Sequence, residues 1–145
     1  MSAKKFFTEK QKQIIQKAIA DAELNTSGEI RVHIDDKCKE DVLDKAAKMF
    51  HQLKMDATEL HNGVLFYLAV DDHKFAILGG KGIHEKVPSD FWDHIKSTMH
   101  AHFKQHEFTE GLARGINMAG EKLKTHFPLQ HNDTNELSND VSFGK

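Results

Sequence analysis

The sequence predicts a single α/β domain with a small mixed sheet, in which the second strand is central and helices cover the faces. Residues Val64–Val70 are apolar at both alternating sets of positions, which is typical of a strand covered on both faces. A further strand-like run, Lys74–Leu78, follows after a link too short for a helix. Segments with helical spacing flank this hairpin, and 145 residues suffice to bury such a core without disulfides.

The first two predicted elements are a helix and a strand with one polar face. Thr8 and Gln11 form a capping-box pattern, and apolar residues at helical spacing continue to about Leu24. From Glu29 to Asp35 apolar and polar residues alternate strictly, which predicts one buried face and one face in water. We therefore expect this strand at an edge of the sheet.

A second helix connects this strand to the central one. Apolar residues return to helical spacing between Val42 and Leu53. The order strand, helix, strand predicts a right-handed parallel crossover. The link Asp71-Asp72-His73 then allows only an antiparallel hairpin.

Two helices and a polar tail follow the hairpin. The turn and N-cap pattern Pro88-Ser89-Asp90 predicts a helix that continues through Phe103. In another helix, which starts near Thr109, small residues recur at every fourth position and predict close approach to a neighbouring backbone; they are Gly111, Gly115 and Ala119. We assign residues 1–128 to the domain and expect 129–145, rich in Asn, Asp, Ser and Thr, to be a disordered tail.

Composition restricts the partners and the compartment. The net charge of −2 provides no basic field, so nucleic acid is not an expected partner. The single cysteine, Cys38, fits a reducing compartment. No apolar run has the length of a signal peptide or a membrane anchor, so we expect the chain as given to be cytoplasmic. A location outside the cytoplasm would require the removal of a targeting segment.

The first candidate site is acidic. If the first two strands are parallel, Asp35-Asp36 and Asp71-Asp72 lie at carboxyl ends and converge on one edge of the sheet. Oxygen donors without a thiolate suit Ca²⁺ or Mg²⁺ rather than zinc. The alternative is that both pairs are ordinary residues of exposed turns.

The second candidate site is a group of polar and glycine-rich loops at the opposite edge. Its members are Thr26, Gly28, Asn62, Gly79, Gly80, Lys81 and Gly82. Backbone amides in such loops can form a nest for an anion, to which Lys81 would add charge. The alternative is that the glycines only adopt the positive φ values that turns require.

No known phosphatase signature occurs in the chain. Cys38 lacks an arginine six residues later, and Asp35-Asp36-Lys37 does not have the Asp-x-Asp spacing of aspartyl-phosphate enzymes. No oriented pair of nucleophile and base is recognisable either. Whether the protein is an enzyme stays open at this level.

Several short motifs, in their order along the chain, resemble the TPM-domain family, which includes thylakoid-lumen phosphatase-like and photosystem-repair proteins. These motifs are Asn25–Ile30, Asn62–Leu65, Gly79–Gly82, Phe108–Leu112 and Gly115-Ile116. The resemblance implies an αβα sandwich, divalent-cation binding and, in some members, acid-phosphatase activity.

Two functions are therefore predicted. The first is a divalent-cation-binding domain that supports assembly or repair of a complex with an unidentified partner protein. The second is a weak metal-dependent acid phosphatase acting through the acidic edge. We favour the first, because the sequence offers carboxylates and glycine loops but no nucleophile.

Overall fold

Four strands form one mixed sheet in the part of the chain that the structure, a computed structural model, describes: residues 6–58, 61–129 and 141–144. In chain order the elements are α1 Glu9–Glu23, β1 Glu29–Asp35, α2 Val42–Gln52, a 3-10 turn Met55–Ala57, β2 Gly63–Ala69, β3 Lys74–Gly79, α3 Lys81–Lys86, α4 Asp93–Lys104, α5 Phe108–His126 and β4 Ser142–Phe143.

The sheet has the strand order β3-β2-β1-β4. β1 pairs with β2 in parallel, from Glu29 opposite Gly63 to Asp35 opposite Ala69. β2 pairs with β3 in antiparallel fashion. The predicted parallel crossover, the hairpin and the central position of the second strand are all confirmed.

Helices cover both faces of the sheet. On one face α1, α4 and α5 bury a core that includes Val32 and Phe66. On the other face α2 and the 3-10 turn cover Leu65 and Tyr67. Every residue of β2 is buried, as its apolar pattern predicts, and the αβα sandwich is confirmed. Among the described residues, no helix combines the length and the apolar character needed to cross a bilayer.

The helix boundaries follow the sequence signals except after the hairpin. Thr8 and Gln11 form both hydrogen bonds of the predicted capping box. The predicted start of α4 near Asp90 is wrong, because Phe91 N–H donates to Pro88 (3.1 Å) and Asp93 N–H to Asp90 (3.1 Å) in successive tight turns. The helix α3, which was not predicted, precedes them.

The expectation that β1 lies at an edge with a wet face is wrong. The strand runs between β2 and β4. The polar residues Glu29, His33 and Asp35 are 5%, 2% and 8% exposed. Strict alternation indicates that the two faces of a strand differ in polarity, but it does not indicate what covers the polar face.

The tail differs from its prediction at residues 141–144, whereas 130–140 and 145 lie outside the described residues. β4 pairs in parallel with β1, with Ser142 opposite His33. The N–H of Gly144 donates to Ile34 (2.8 Å), and a Cβ on Gly144 would overlap the carboxylate of Asp35. Phe143 packs against the main core. This apolar contact and the glycine hold four residues of a segment whose polar composition predicts disorder.

The small-residue positions of α5 do mark close helix contacts. A Cβ on Gly111 would lie 2.5 Å from the ring of Phe103 in α4, and one on Gly115 would overlap Met99. The tightest contact with backbone atoms is at Gly120, where a Cβ would lie 2.8 Å from Cα of Ala22 in α1. The helix therefore needs glycine on two faces.

Candidate functional site

The carboxyl ends of β1 and β2 stay paired beyond the strands. The N–H of Val70 donates to the carbonyl of Asp35 (3.0 Å), and the N–H of Asp71 donates to the carbonyl of Asp36 (2.8 Å). These bonds follow from the parallel pairing, which puts both strand ends at one edge. They bring the two predicted Asp-Asp pairs side by side.

A polar cleft of about 920 Å³ opens at this edge. Its acidic wall contains three of the four predicted ligands, namely Asp35, Asp36 and Asp71. The fourth, Asp72, lies outside the lining, because its carboxylate accepts a hydrogen bond from the N–H of Cys38 (2.7 Å). The other lining residues include Lys37, Lys45, His33 and the tail residues Ser142–Gly144.

A hydrogen-bonded chain of four side chains contributes its members His33, Asp35 and Ser142 to the inner wall of the cleft, with Tyr67 buried behind them. Tyr67 donates its hydroxyl to Oδ2 of Asp35 (2.6 Å). Oδ1 of Asp35 lies 2.9 Å from Nε2 of His33, whose Nδ1 lies 2.9 Å from Oγ of Ser142. A carboxylate can only accept, so Nε2 of His33 carries a proton, and in the neutral imidazole Nδ1 accepts from the serine hydroxyl.

The electrostatics of this chain favour an ionised Asp35. Burial by itself would raise the pKa of Asp35, but the hydrogen bonds from His33 and Tyr67 and the nearby charge of Lys45 lower it below its ordinary value. Burial and the adjacent carboxylate raise the pKa of Tyr67, which therefore stays protonated and donates. A fixed negative charge thus lies beneath the cleft.

The acidic edge is not a closed metal cage. Among residues 6–58, 61–129 and 141–144, no group of three or more His, Cys, Asp or Glu side chains is arranged to hold a metal ion. Both oxygens of Asp35 already accept hydrogen bonds. Asp36 and Asp71 remain as cleft-lining carboxylates, a donor set that suits a cation which keeps most of its water, as Mg²⁺ does.

The glycine-rich loops at the opposite edge are occupied by internal hydrogen bonds. The N–H of Gly80 donates to Gly63 (2.8 Å) and that of Gly82 to His61 (2.8 Å), while Asn62 donates its side-chain amide to Ser27 (2.8 Å). The other predicted members of this group are placed as follows: Thr26 donates to the carbonyl of Phe127, Gly28 donates to the Thr26 hydroxyl, Gly79 ends β3 and Lys81 begins α3. This edge gives no support to the predicted anion nest.

Two glycines at this edge, Gly79 and Gly80, are required by space and not by positive φ. None of the described glycines has a positive φ, so that part of the alternative interpretation is wrong. A Cβ on Gly80 would lie 2.7 Å from the carbonyl oxygen of His61, and one on Gly79 would lie 2.8 Å from the side chain of Ile83. At Gly80 the backbone of His61 passes too close for a side chain, whereas at Gly79 the limit is the side chain of Ile83.

A partly buried carboxylate, Glu23, lies near this edge. It accepts a hydrogen bond from the N–H of Ile30 (3.0 Å). Burial raises the pKa of Glu23 to about 7; the hydrogen bond opposes this shift, and the charge of Glu29 adds to it. At neutral pH the folded state therefore disfavours the ionised form of Glu23.

Replacing Glu23 by glutamine should stabilise the protein above about pH 7, by up to about 1 kcal/mol because partial exposure screens the effect. Between the ordinary pKa of 4.5 and the folded pKa of about 7, the folded state binds the extra proton, so wild-type stability falls as pH rises. Glutamine cannot ionise and avoids this loss.

Urea unfolding of wild type and Glu23→Gln across this pH range measures the difference. The gain should vanish as the pH falls well below 4.5, where Glu23 is protonated in the unfolded state as well as in the folded state. Glu121→Gln, at an exposed position of α5, is the matched control and should show no such profile. A gain of equal size at all pH values would contradict the assignment to ionisation.

Sequence reasoning found the acidic edge but not the inner wall of the cleft. Alternation places His33 and Asp35 on one face of β1, and the parallel register puts Tyr67 opposite His33. Those two signals could have predicted a buried polar cluster. Nothing in the sequence pointed to Ser142, because it lies 109 residues from its partner His33 in a segment predicted to be disordered.

A sequence profile described as the TPM domain matches residues 2–122 of the chain. The chain belongs to the TPM domain family. No curated protein sequence matches it. Membership confirms the resemblance drawn from the ordered motifs.

Solved structures agree with this assignment. The BA42 protein of the psychrophilic bacterium Bizionia argentinensis, solved by NMR, is 48% identical with a TM-score of 0.92, over 97% of each chain. The N-terminal domain of a P. gingivalis protein is 19% identical (TM-score 0.71, 88% of this chain and 84% of that one). The N-terminal domain of a Corynebacterium glutamicum protein is 15% identical (0.66, 89% and 84%). The last two share the fold of this TPM domain.

Proposed function

We propose that this TPM domain binds a divalent cation, Mg²⁺ or Ca²⁺, at the carboxyl ends of β1 and β2, and that the loaded edge supports assembly with a partner protein. One observation carries the proposal. Asp36 and Asp71 line the same cleft, and the backbone bond between them fixes their separation. Mg²⁺ and Ca²⁺ favour such carboxylate oxygens over nitrogen or sulfur ligands.

In this proposal the four predicted aspartates have different roles. Asp36 and Asp71 act as ligands. Asp35 acts as fixed charge beneath them, since its oxygens are taken by Tyr67 and His33. Asp72 fastens the hairpin to the loop after β1 through Cys38. Two ligands leave several coordination positions to water, so the affinity should be modest.

A weak metal-dependent phosphatase is the second candidate function. Lys37 and Lys45 line the cleft beside the acidic residues, so positive charge is present for a phosphate group. A cation held by Asp36 and Asp71 would polarise a phosphoryl oxygen. This activity would appear as cation-dependent hydrolysis of a phosphomonoester that Asp71→Asn abolishes.

Addition of Mg²⁺ or Ca²⁺ should raise the melting temperature of the wild-type protein. A ligand that binds only the folded state adds about 1.4 kcal/mol of stability at a tenfold excess over its dissociation constant. The combined variant Asp36→Asn and Asp71→Asn should lose this increase. Thermal unfolding monitored by circular dichroism measures both.

Two controls separate a site from general charge screening. Monovalent salt at matched ionic strength relieves carboxylate repulsion without any site. The variant Asp90→Asn with Asp93→Asn changes the net charge equally at exposed positions and should keep the cation effect. If the cation effect survives in the Asp36 and Asp71 variant, the cation binds elsewhere and the proposal fails.

A further inference from the structure

We propose that Ser142, His33 and Asp35 form a nucleophile, base and carboxylate relay that hydrolyses carboxylic esters in the cleft. This activity is separate from cation binding, because none of its steps needs a metal. It supplies the nucleophile and base that the sequence did not reveal.

The relay has the connectivity that serine nucleophiles require. Oγ of Ser142 lies 2.9 Å from Nδ1 of His33, and Nε2 of the same ring lies 2.9 Å from Oδ1 of Asp35. Nucleophile, base and orienting carboxylate are each within hydrogen-bond reach of the next. The carboxylate fixes the tautomer in which Nδ1 has its lone pair toward the serine.

The base is held rigidly. His33 is 2% exposed in the middle of β1, and its ring stacks on Tyr67 with centroids 5.9 Å apart and planes 11° from parallel. Tyr67 also donates to the carboxylate that orients this ring (2.6 Å). A ring fixed by a strand, a stacked neighbour and a hydrogen bond needs little reorganisation during proton transfer.

The nucleophile lies where a substrate can reach it. Ser142 is only partly buried and lines the cleft together with His33. The parallel pairing sets Ser142 directly opposite His33, and a shift of one residue would turn the hydroxyl to the other face of the sheet. Lys37 and Lys45 line the same cleft and bring positive charge into it.

The reaction balances without a further reagent. Oγ of Ser142 attacks the ester carbonyl carbon while Nδ1 of His33 takes the hydroxyl proton. The bond to the alcohol oxygen breaks, and His33 passes the proton to the leaving alkoxide. A water molecule then attacks the acyl-serine, with His33 taking its proton and returning it to Oγ. The products are one alcohol and one carboxylic acid.

Covalent labelling of the wild-type protein tests the relay. A fluorophosphonate probe reacts with an activated serine by displacement of fluoride, and intact mass with peptide mapping locates the adduct. With EDTA present, we expect Ser142 to react at least about a hundredfold faster than the exposed Ser97. Hydrolysis of p-nitrophenyl acetate should show the same dependence on Ser142.

Three variants define the roles. Ser142→Ala should lose the label and the ester turnover, whereas Ser97→Ala should keep both. His33→Asn retains an amide that can reach Ser142 but cannot take a proton, so labelling should slow by about 10²–10⁴-fold. Circular dichroism at the assay temperature confirms that each variant is folded.

The proposal would be overturned if Ser142 of the wild-type protein were labelled no faster than Ser97. This comparison needs no variant. The hydrogen bonds would then only fasten β4 to the sheet. If Ser142 were labelled at the same rate in the wild-type protein and in His33→Asn, His33 would not be the base. Because EDTA is present throughout, these results are independent of whether the cation site exists.

Discussion

Replacing Tyr67 by phenylalanine should lower the free energy of unfolding by about 1.5–3 kcal/mol at neutral pH, the usual contribution of a hydrogen bond to a charged group. The variant keeps the ring and its packing but removes the donor to Asp35 (2.6 Å). A buried carboxylate then loses one of its two compensating partners. The loss is therefore electrostatic and not a cavity effect.

The pH dependence of this loss identifies its cause. The pKa of Asp35 in the folded state is lowered below 3.8, so its ionised form adds stability above that value, and this contribution disappears as pH falls through the folded pKa. Without the tyrosine hydroxyl the pKa of Asp35 should rise. Wild type and Tyr67→Phe should therefore differ most at neutral pH and converge in acid.

Urea unfolding over a pH series from neutral into acid follows this convergence. A double-mutant cycle with Asp35→Asn isolates the coupling of the two side chains from the effect of each replacement alone. A loss of the same size at every pH would show that the phenol contributes through packing and not through the carboxylate.

The central part of the fold could be predicted from the sequence because two local patterns agreed. The apolar pattern of Val64–Val70 requires cover on both faces, and the short link after it allows only a hairpin. The parallel arrangement of the strands predicts that Asp36 and Asp71 lie together, and the hydrogen bond between their backbones agrees with this. Local periodicity and chain length restrict topology strongly.

The inner wall of the cleft was not readable, because its determinants are distant in sequence. Alternation in β1 and its register with β2 place His33, Asp35 and Tyr67 together, but Ser142 joins them only through the pairing of β4. A two-residue strand has no periodicity to detect. The orientation of Asp72 likewise depends on the turn conformation, in which His73 adopts a φ of 55°.

The glycines of α5 were also predictable from the sequence only in part. The spacing of Gly111, Gly115 and Ala119 predicted close packing, but it indicated neither which neighbour each residue meets nor the contact at Gly120. Gly111 and Gly115 face side chains of α4, which can shift, whereas Gly120 faces the backbone of α1. Only the contact with backbone is rigid enough for a large penalty.

Gly120→Ala should destabilise the protein by about 1–3 kcal/mol, the usual cost of overpacking, despite the gain of up to about 1 kcal/mol in helix propensity. The new Cβ would lie 2.7 Å from Cβ, 2.8 Å from Cα and 3.0 Å from the carbonyl oxygen of Ala22. No rotamer change relieves contacts with backbone atoms, so α1 and α5 must separate along the core that they share.

Urea unfolding at neutral pH measures this cost against two comparisons. Glu121→Ala changes the adjacent exposed residue of the same helix and should stay within about 0.5 kcal/mol of wild type. Gly115→Ala should cost less than Gly120→Ala, since the side chain of Met99 can adjust. Ala22→Gly in the Gly120→Ala protein should restore only part of the loss, because Cα of residue 22 still lies too close. A Gly120→Ala protein more stable than wild type would show that α1 and α5 are not in backbone contact at this point.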